Sequence, residues 1–169
     1  CYFLKGKLQD ALNWLGDALK IMQSINDYKN QAVINLEMGL AYENLGDYAR
    51  SKEKYTSALQ YWQQVENPVW LSNLLNNLGV LEQMMGNYEQ AIKSFDRGLE
   101  FARSCNYIRM EAYLLTGIAD IYAELQVDEQ ADQIYQMASA IANRAQEHFL
   151  QVYISVQSAA LAGQRGDYF

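Results

Sequence analysis

The chain has 169 residues, half of them hydrophobic and a fifth charged, the balance of a folded domain with a core rather than a disordered segment. Its 13 Lys and Arg stand against 20 Asp and Glu, for a net charge of −7, and they form no run, which argues against a direct nucleic-acid clamp. Two cysteines, Cys1 and Cys105, set out no disulfide framework, and no apolar run approaches the ~20 residues of a membrane span. A cytoplasmic, reducing location is therefore expected, with no membrane contact. Proline occurs once, at Pro68, so long helices are expected.

The predicted elements follow one another as helices in pairs. A helix over 8–25 comes first, preceded by Gly6-Lys7-Leu8 in the register of a turn. A helix over 28–45 leads to Gly46-Asp47-Tyr48, which opens a helix over 48–65. Asn67-Pro68 opens a helix over 68–85, Gly86-Asn87-Tyr88 one over 88–105, and Asn106 precedes one over 108–125. After the degenerate turn Gln126-Val127-Asp128 come helices over 128–145 and 148–165, and Gly166-Asp167-Tyr168 begins another. We name the helices starting near 28, 68, 108 and 148 the A helices, and those starting near 8, 48, 88 and 128 the B helices.

Four of the five turns into a B helix carry Gly at a spacing of 40 or a multiple of it, although the chain has only 10 Gly in all. Other columns keep the same period. Each B helix carries a small residue (Ala11, Ser51, Ala91, Ala131), then a large one (Leu15, Tyr55, Phe95, Tyr135), then a small one (Ala18, Ala58, Gly98, Ala138). Those offsets of four and three share one helical face. Each A helix has Gly39, Gly79, Ala119 or Ala159 seven residues before its turn. Glycine inside a helix costs roughly 1 kcal/mol against Ala, so Gly39 and Gly79 imply close packing against the next helix. Gly46 and Gly86 are expected to end their helices in the left-handed conformation, and Asp47 and Asn87 to cap the helices that follow.

These residues resemble tetratricopeptide repeats, whose pattern is Leu-Gly in helix A, Gly-x-Tyr at the turn, and Ala, an aromatic and Ala in helix B. "MGLAYENLGDYARSKEKYTSAL" (38–59) and "LGVLEQMMGNYEQAIKSFDRGL" (78–99) follow it closely, and "IADIYAELQVDEQADQIYQMAS" (118–139) less so. The early Trp of the family is replaced by Asn35, Leu75, Leu115 and Ser155, and the period of 40 exceeds the usual 34 or so, implying longer helices. Such long repeats are similar to those of kinesin light chains, bacterial peptide-sensing regulators and the sensor halves of bacterial transcription activators, the last group above all. The resemblance implies an all-α fold, a right-handed α-solenoid of antiparallel helix pairs. It also implies one domain over 1–169: a partial repeat 1–27, repeats 28–67, 68–107 and 108–147, and a partial repeat 148–169. Half-units at both ends suggest a fragment of a longer protein.

In this family the A helices line a concave groove for a peptide or protein ligand. Its usual columns fall here on Leu36, Leu40, Glu43 and Asn44; on Asn73, Asn76, Val80, Gln83 and Met84; and on Tyr113, Thr116, Asp120 and Glu124. Asn73, Asn76 and Gln83 can hydrogen-bond a peptide backbone while Met84 and Tyr113 give apolar contact. Gripping a C-terminal carboxylate needs Lys or Arg on this face, and these columns have none.

No catalytic constellation, metal site or cofactor motif is expected. Ser51-x-x-Lys54 matches a catalytic spacing, but Ser51 sits in the small-residue packing column. His148, the single histidine, falls near a loop. Cys105 is expected in the core, Trp62 between repeats and Trp14 on the surface. A non-catalytic peptide- or protein-binding scaffold is the leading reading. A regulatory sensor segment of a transcription activator or signalling ATPase is the alternative, and a self-association surface the third.

Overall fold

The computed structural model describes residues 2–165, which form eight α-helices: α1 (Tyr2–Ser24), α2 (Tyr28–Leu45), α3 (Tyr48–Gln64), α4 (Pro68–Met84), α5 (Tyr88–Ser104), α6 (Ile108–Glu124), α7 (Asp128–Arg144) and α8 (His148–Arg165). From α2 onward a helix begins every 20 residues, so the 40-residue repeat is two helices of nearly equal length. The densest packing lies within α2/α3, α4/α5 and α6/α7. The A helices also touch one another, α4 with α6 and α6 with α8. They form the inner layer of an all-α repeat solenoid, and the B helices lie outside them.

The 20-residue beat comes from one turn used seven times. Asn26, Gly46, Glu66, Gly86, Asn106, Gln126 and Gln146 all have φ between 50° and 79°. At each, the next N–H reaches back to close the helix end, as Asp47 N does to Tyr42 O at 2.9 Å and Val127 N to Tyr122 O at 2.9 Å. This is the Schellman arrangement, which satisfies carbonyls that a helix end would leave bare. Turns into B helices and turns into A helices, which read as different connectors in sequence, are therefore one geometry. Only two of the seven positions use Gly, although the left-handed conformation costs an L-residue roughly 1–2 kcal/mol.

Capping is less regular than the turn pattern suggests. Asp27, Asp47 and Asn67 accept hydrogen bonds from the N–H of Asn30, Arg50 and Trp70. Pro68 occupies the first helical turn, where its missing N–H costs nothing. Asn87 makes no side-chain cap; its Nδ2 donates instead to Glu82 Oε2 at 2.8 Å. Glu82 is 4% exposed and is also paired with Lys52 at 2.5 Å. The cap was diverted because a buried carboxylate needs donors more than an exposed helix end does.

Helix α1 starts at Tyr2 and runs through Gly6, so Gly6-Lys7-Leu8 is no turn despite its register. Its opposite number, Gly166-Asp167-Tyr168, lies outside the described residues.

The aromatic column forms the spine of the core. Tyr55, Phe95 and Tyr135 are all but inaccessible. A Cβ at Gly39 would stand 2.5 Å from Cδ1 and Cε1 of Tyr55, and one at Gly117 2.6 Å from Cζ of Phe95. Gly79 meets the same Phe95 ring from α4. Gly39, Gly79 and Gly117 thus make room for the rings. Trp62 stacks on Trp70 with centroids 4.8 Å apart and planes 7° from parallel, joining α3 to α4 between repeats as expected. Ser51 is fully buried in its packing column, and Trp14 is 77% exposed. Cys105 is a correction: it is half-buried at the C-terminal cap of α5, with Sγ on Phe101 O at 3.3 Å, because its column belongs to the turn rather than the core. No described helix is long and apolar enough to cross a membrane.

Candidate functional site

The A helices present two hollows on the inner layer. The first, of about 380 Å³, lies between the C-terminal ends of α2 and α4 and is lined by Glu43, Asn44, Leu45, Gly46, Tyr48 and Met84. The second, of about 290 Å³, is formed by α4, α6 and α8. Asn76, Val80 and Gln83 come from α4; Tyr113, Thr116, Gly117 and Asp120 from α6; Phe149, Leu150 and Tyr153 from α8. Consecutive A helices stand side by side, so residues 40 apart in sequence become neighbours across the groove.

The buried phenols of the aromatic column each find a carboxylate on the A helix of the same pair, though from different columns of the repeat. Tyr55 OH donates to Glu43 Oε2 at 2.8 Å, and Tyr135 OH to Asp120 Oδ1 at 2.6 Å. In the repeat between them the buried ring is Phe95, which has no hydroxyl, and neither matching position carries a carboxylate: Gln83 stands in the column of Glu43 and Val80 in that of Asp120. Where the column carries a phenol, its A helix carries a carboxylate to receive it, since a buried hydroxyl without a partner is costly. Tyr153 from α8 adds a second donor to Asp120, 3.0 Å from Oδ2. One carboxylate therefore joins α6, α7 and α8.

Burial raises the Asp120 carboxyl above its ordinary 3.8; the Tyr135 and Tyr153 phenols oppose this, and nearby Glu124 adds to it. Burial raises Glu43 in the same way, against the Tyr55 hydrogen bond. The Tyr153 phenol is pushed up to about 12, by burial first and then by Asp120. Burial and Asp120 likewise raise Tyr135. Both tyrosines stay protonated as donors across the physiological range.

Of the residues expected in the groove, Asn76, Val80, Gln83, Tyr113, Thr116 and Asp120 meet in the second hollow, while Glu43, Asn44 and Met84 meet in the first. Gln83 Nε2 donates to Glu124 Oε1 at 2.6 Å, which fastens the rim between α4 and α6. Thr116 is buried and returns its hydroxyl to Ala112 O at 2.9 Å. Leu36 is 7% exposed and belongs to the core, and Leu40 packs against that core half-buried. Asn73 lines neither hollow; its Nδ2 is spent on Val69 O at 2.7 Å, a bond within its own helix. Gly117, Phe149, Leu150 and Tyr153 were missed, although Tyr113 carried forward by one period of 40 lands on Tyr153. Among the described residues no group of His, Cys, Asp and Glu is placed to hold a metal ion.

Comparison with known proteins places the architecture. Residues 30–104 match the family model described as tetratricopeptide repeat. A photosystem I assembly protein, Ycf3 of Prochlorococcus marinus (strain MIT 9303), is 22% identical over 145 residues, covering 85% of this chain and 82% of the relative. The regulatory protein RapG of Bacillus subtilis (strain 168) is 27% identical over 139 residues, covering 80% of this chain and 37% of the relative. The crystal structure of the apo form of RapI superposes with a TM-score of 0.86 at 18% identity, over 98% of this chain and 46% of that one. The chain thus spans less than half the length of RapG and of RapI.

Proposed function

Since this chain is built of tetratricopeptide repeats, we propose that it is a non-catalytic scaffold whose A-helix face binds an extended segment of a peptide or protein. The observation that carries the reading is the 290 Å³ hollow where α4, α6 and α8 converge. Its size is at the lower end for a binding pocket and suits one side chain of a longer ligand rather than a whole small molecule. The amide of Asn76 stands beside it to meet a peptide backbone, and Phe149 offers an 81% exposed ring.

Selection of random dodecapeptides displayed on phage tests this. Enriched peptides are expected to bind the wild type and to lose about tenfold in affinity on Phe149→Ala or Tyr113→Ala, since a buried aromatic anchor contributes more than 1 kcal/mol. Met137→Ala, on the outer surface of α7, is expected to leave binding unchanged. Selected peptides that bind all these variants equally would place the binding surface elsewhere.

A second reading, favoured by the relatedness to RapG, is that the repeats form the regulatory part of a longer polypeptide. The groove would then take a signalling peptide or a neighbouring segment of that polypeptide. In that case a selected peptide would alter protection from hydrogen exchange in the adjoining part of the longer protein, and unaltered protection there would leave only the scaffold. The third possibility, self-association, predicts a sedimentation coefficient that rises with protein concentration.

A further inference from the structure

The 290 Å³ hollow has a distinctive lining. Three aromatic side chains, Tyr113, Phe149 and Tyr153, face a single ionisable carboxyl group, Asp120, and no lining residue is Lys or Arg. Asp120 accepts one hydrogen bond at each oxygen, from Tyr135 at 2.6 Å and Tyr153 at 3.0 Å. A carboxylate has about four acceptor positions, so two remain open. At the rim, Glu124 is exposed and held by Gln83, which sets a second negative charge beside the opening.

The nearby basic group is already occupied. Arg109 Nε is 2.9 Å from Glu147 Oε1, and its guanidinium lies 5.8 Å from the Tyr113 ring centroid. The Tyr113 ring thus already has one cation of the chain within cation–π range, held there by Glu147. Phe149 stands at the position that Val69 and Arg109 hold in α4 and α6, and at 81% exposure it is an apolar ring that gains from being covered.

We propose that this hollow is a specificity pocket for a basic side chain, lysine or arginine, of the bound peptide. The proposal rests on the peptide-binding reading above and names the chemistry of its ligand. The alkyl stem lies against Val80, Leu150 and Phe149, and the charged head lies among the tyrosine rings and meets the open positions of Asp120. A neutral apolar side chain fills the same volume but leaves the carboxylate without a counter-charge. An acidic side chain meets repulsion from Asp120 and Glu124.

Host peptides test the charge separately from the groove. Acetyl-Ala-Ala-Xaa-Ala-Ala-amide, with Xaa as lysine, arginine, norleucine or glutamate, is titrated into the isotope-labelled protein, and the resonances of Tyr113, Phe149 and Tyr153 are followed. The lysine or arginine host is expected to bind about fivefold or more tightly than the norleucine host, and the glutamate host most weakly. Asp120→Asn is expected to bring the lysine-to-norleucine ratio close to one. Because Asp120 also joins three helices, Phe149→Ala serves as a second variant on an exposed side chain, and is expected to weaken the lysine host while leaving the melting temperature unchanged. Equal binding of lysine and norleucine hosts at these rings overturns the charge preference and leaves the peptide groove standing. Selected dodecapeptides that ignore Tyr113 and Phe149 overturn the groove itself, and the pocket with it.

Discussion

Gly79→Ala sets two energies of opposite sign against each other. Gly79 is inside α4, where alanine is favoured over glycine by about 1 kcal/mol. Against this, the new Cβ would intrude on the ring of Phe95, which is wholly inaccessible. The ring cannot swing away, because the backbone of α6 at Gly117 closes the other side so tightly that a Cβ there would stand 2.6 Å from Cζ. Overpacking a close-packed core costs typically about 1–3 kcal/mol, and a ring held from both sides belongs toward the upper end. The net expectation is a loss of about 1–2 kcal/mol, which for a chain of this length lowers the melting temperature by roughly 2–8 °C. Gly16→Ala is the matched control. Gly16 is inside α1 and a Cβ added there would meet nothing within 4 Å, so only the helix preference acts, for a gain of up to about 1 kcal/mol. Both variants are followed by helical circular dichroism in heat and in urea. If Gly79→Ala stabilised the protein as Gly16→Ala does, the close approach of α4 to the Phe95 ring would be refuted.

Four other outcomes follow from the same geometry. Gln126→Gly is expected to raise the urea midpoint, with a gain of about 0.5–1 kcal/mol, because Gln126 holds φ at 59° where glycine carries no strain. Asn67→Ala removes the cap on Trp70 N and is expected to cost about 1 kcal/mol at any pH. Asn87→Ala removes no cap, but leaves the Glu82 carboxylate with one donor fewer. Burial opposes ionisation of Glu82, yet Lys52 and Asn87 hold its carboxyl below the ordinary 4.5, so the cost of Asn87→Ala is expected near neutrality and fades as acid protonates Glu82. Asp120→Asn is expected to change the pH dependence in the opposite sense. Its raised carboxyl, set by burial and faced by Tyr135, Tyr153 and Glu124, binds a proton more tightly in the folded chain than in the unfolded one. Its contribution to stability is therefore full below pH 3.8 and lost as pH rises through the raised value, and the asparagine variant should lack that fall in its urea midpoint. A wild-type midpoint that rose more steeply than the variant's over this range would reverse the assignment.

Most of the helices were legible because their cause is local. The Gly46 turn, the Asp47 cap and the Ala-aromatic-Ala face each involve residues within one or two turns of chain, and their recurrence at 40 made them visible. Gly6 shows the limit of that reasoning. It fell in the turn register, but a turn forms only where the helix can stop, and there α1 runs on. The left-handed residues at Glu66 and Gln126 were equally hidden, since neither is a residue that favours such a conformation. The groove columns of α4 and α6 were reachable through the repeat pattern. The contribution of α8 was not carried forward, so Phe149 and Tyr153 went unnoticed until three A helices stood together.

The amino-acid sequence by itself determined the helix pairs, their period and the columns that pack, because propensity, capping and amphipathic spacing act over a few residues. What only the tertiary structure decided was the fate of individual side chains. It spent Asn73 on Val69, turned Asn87 to Glu82, confined Phe95 between two glycines and set Asp120 between tyrosines of two other helices. Those partners come from helices that meet only when the repeats stack, so burial and hydrogen-bond competition across the stack, rather than position in a motif, determine which polar groups remain free to meet a ligand.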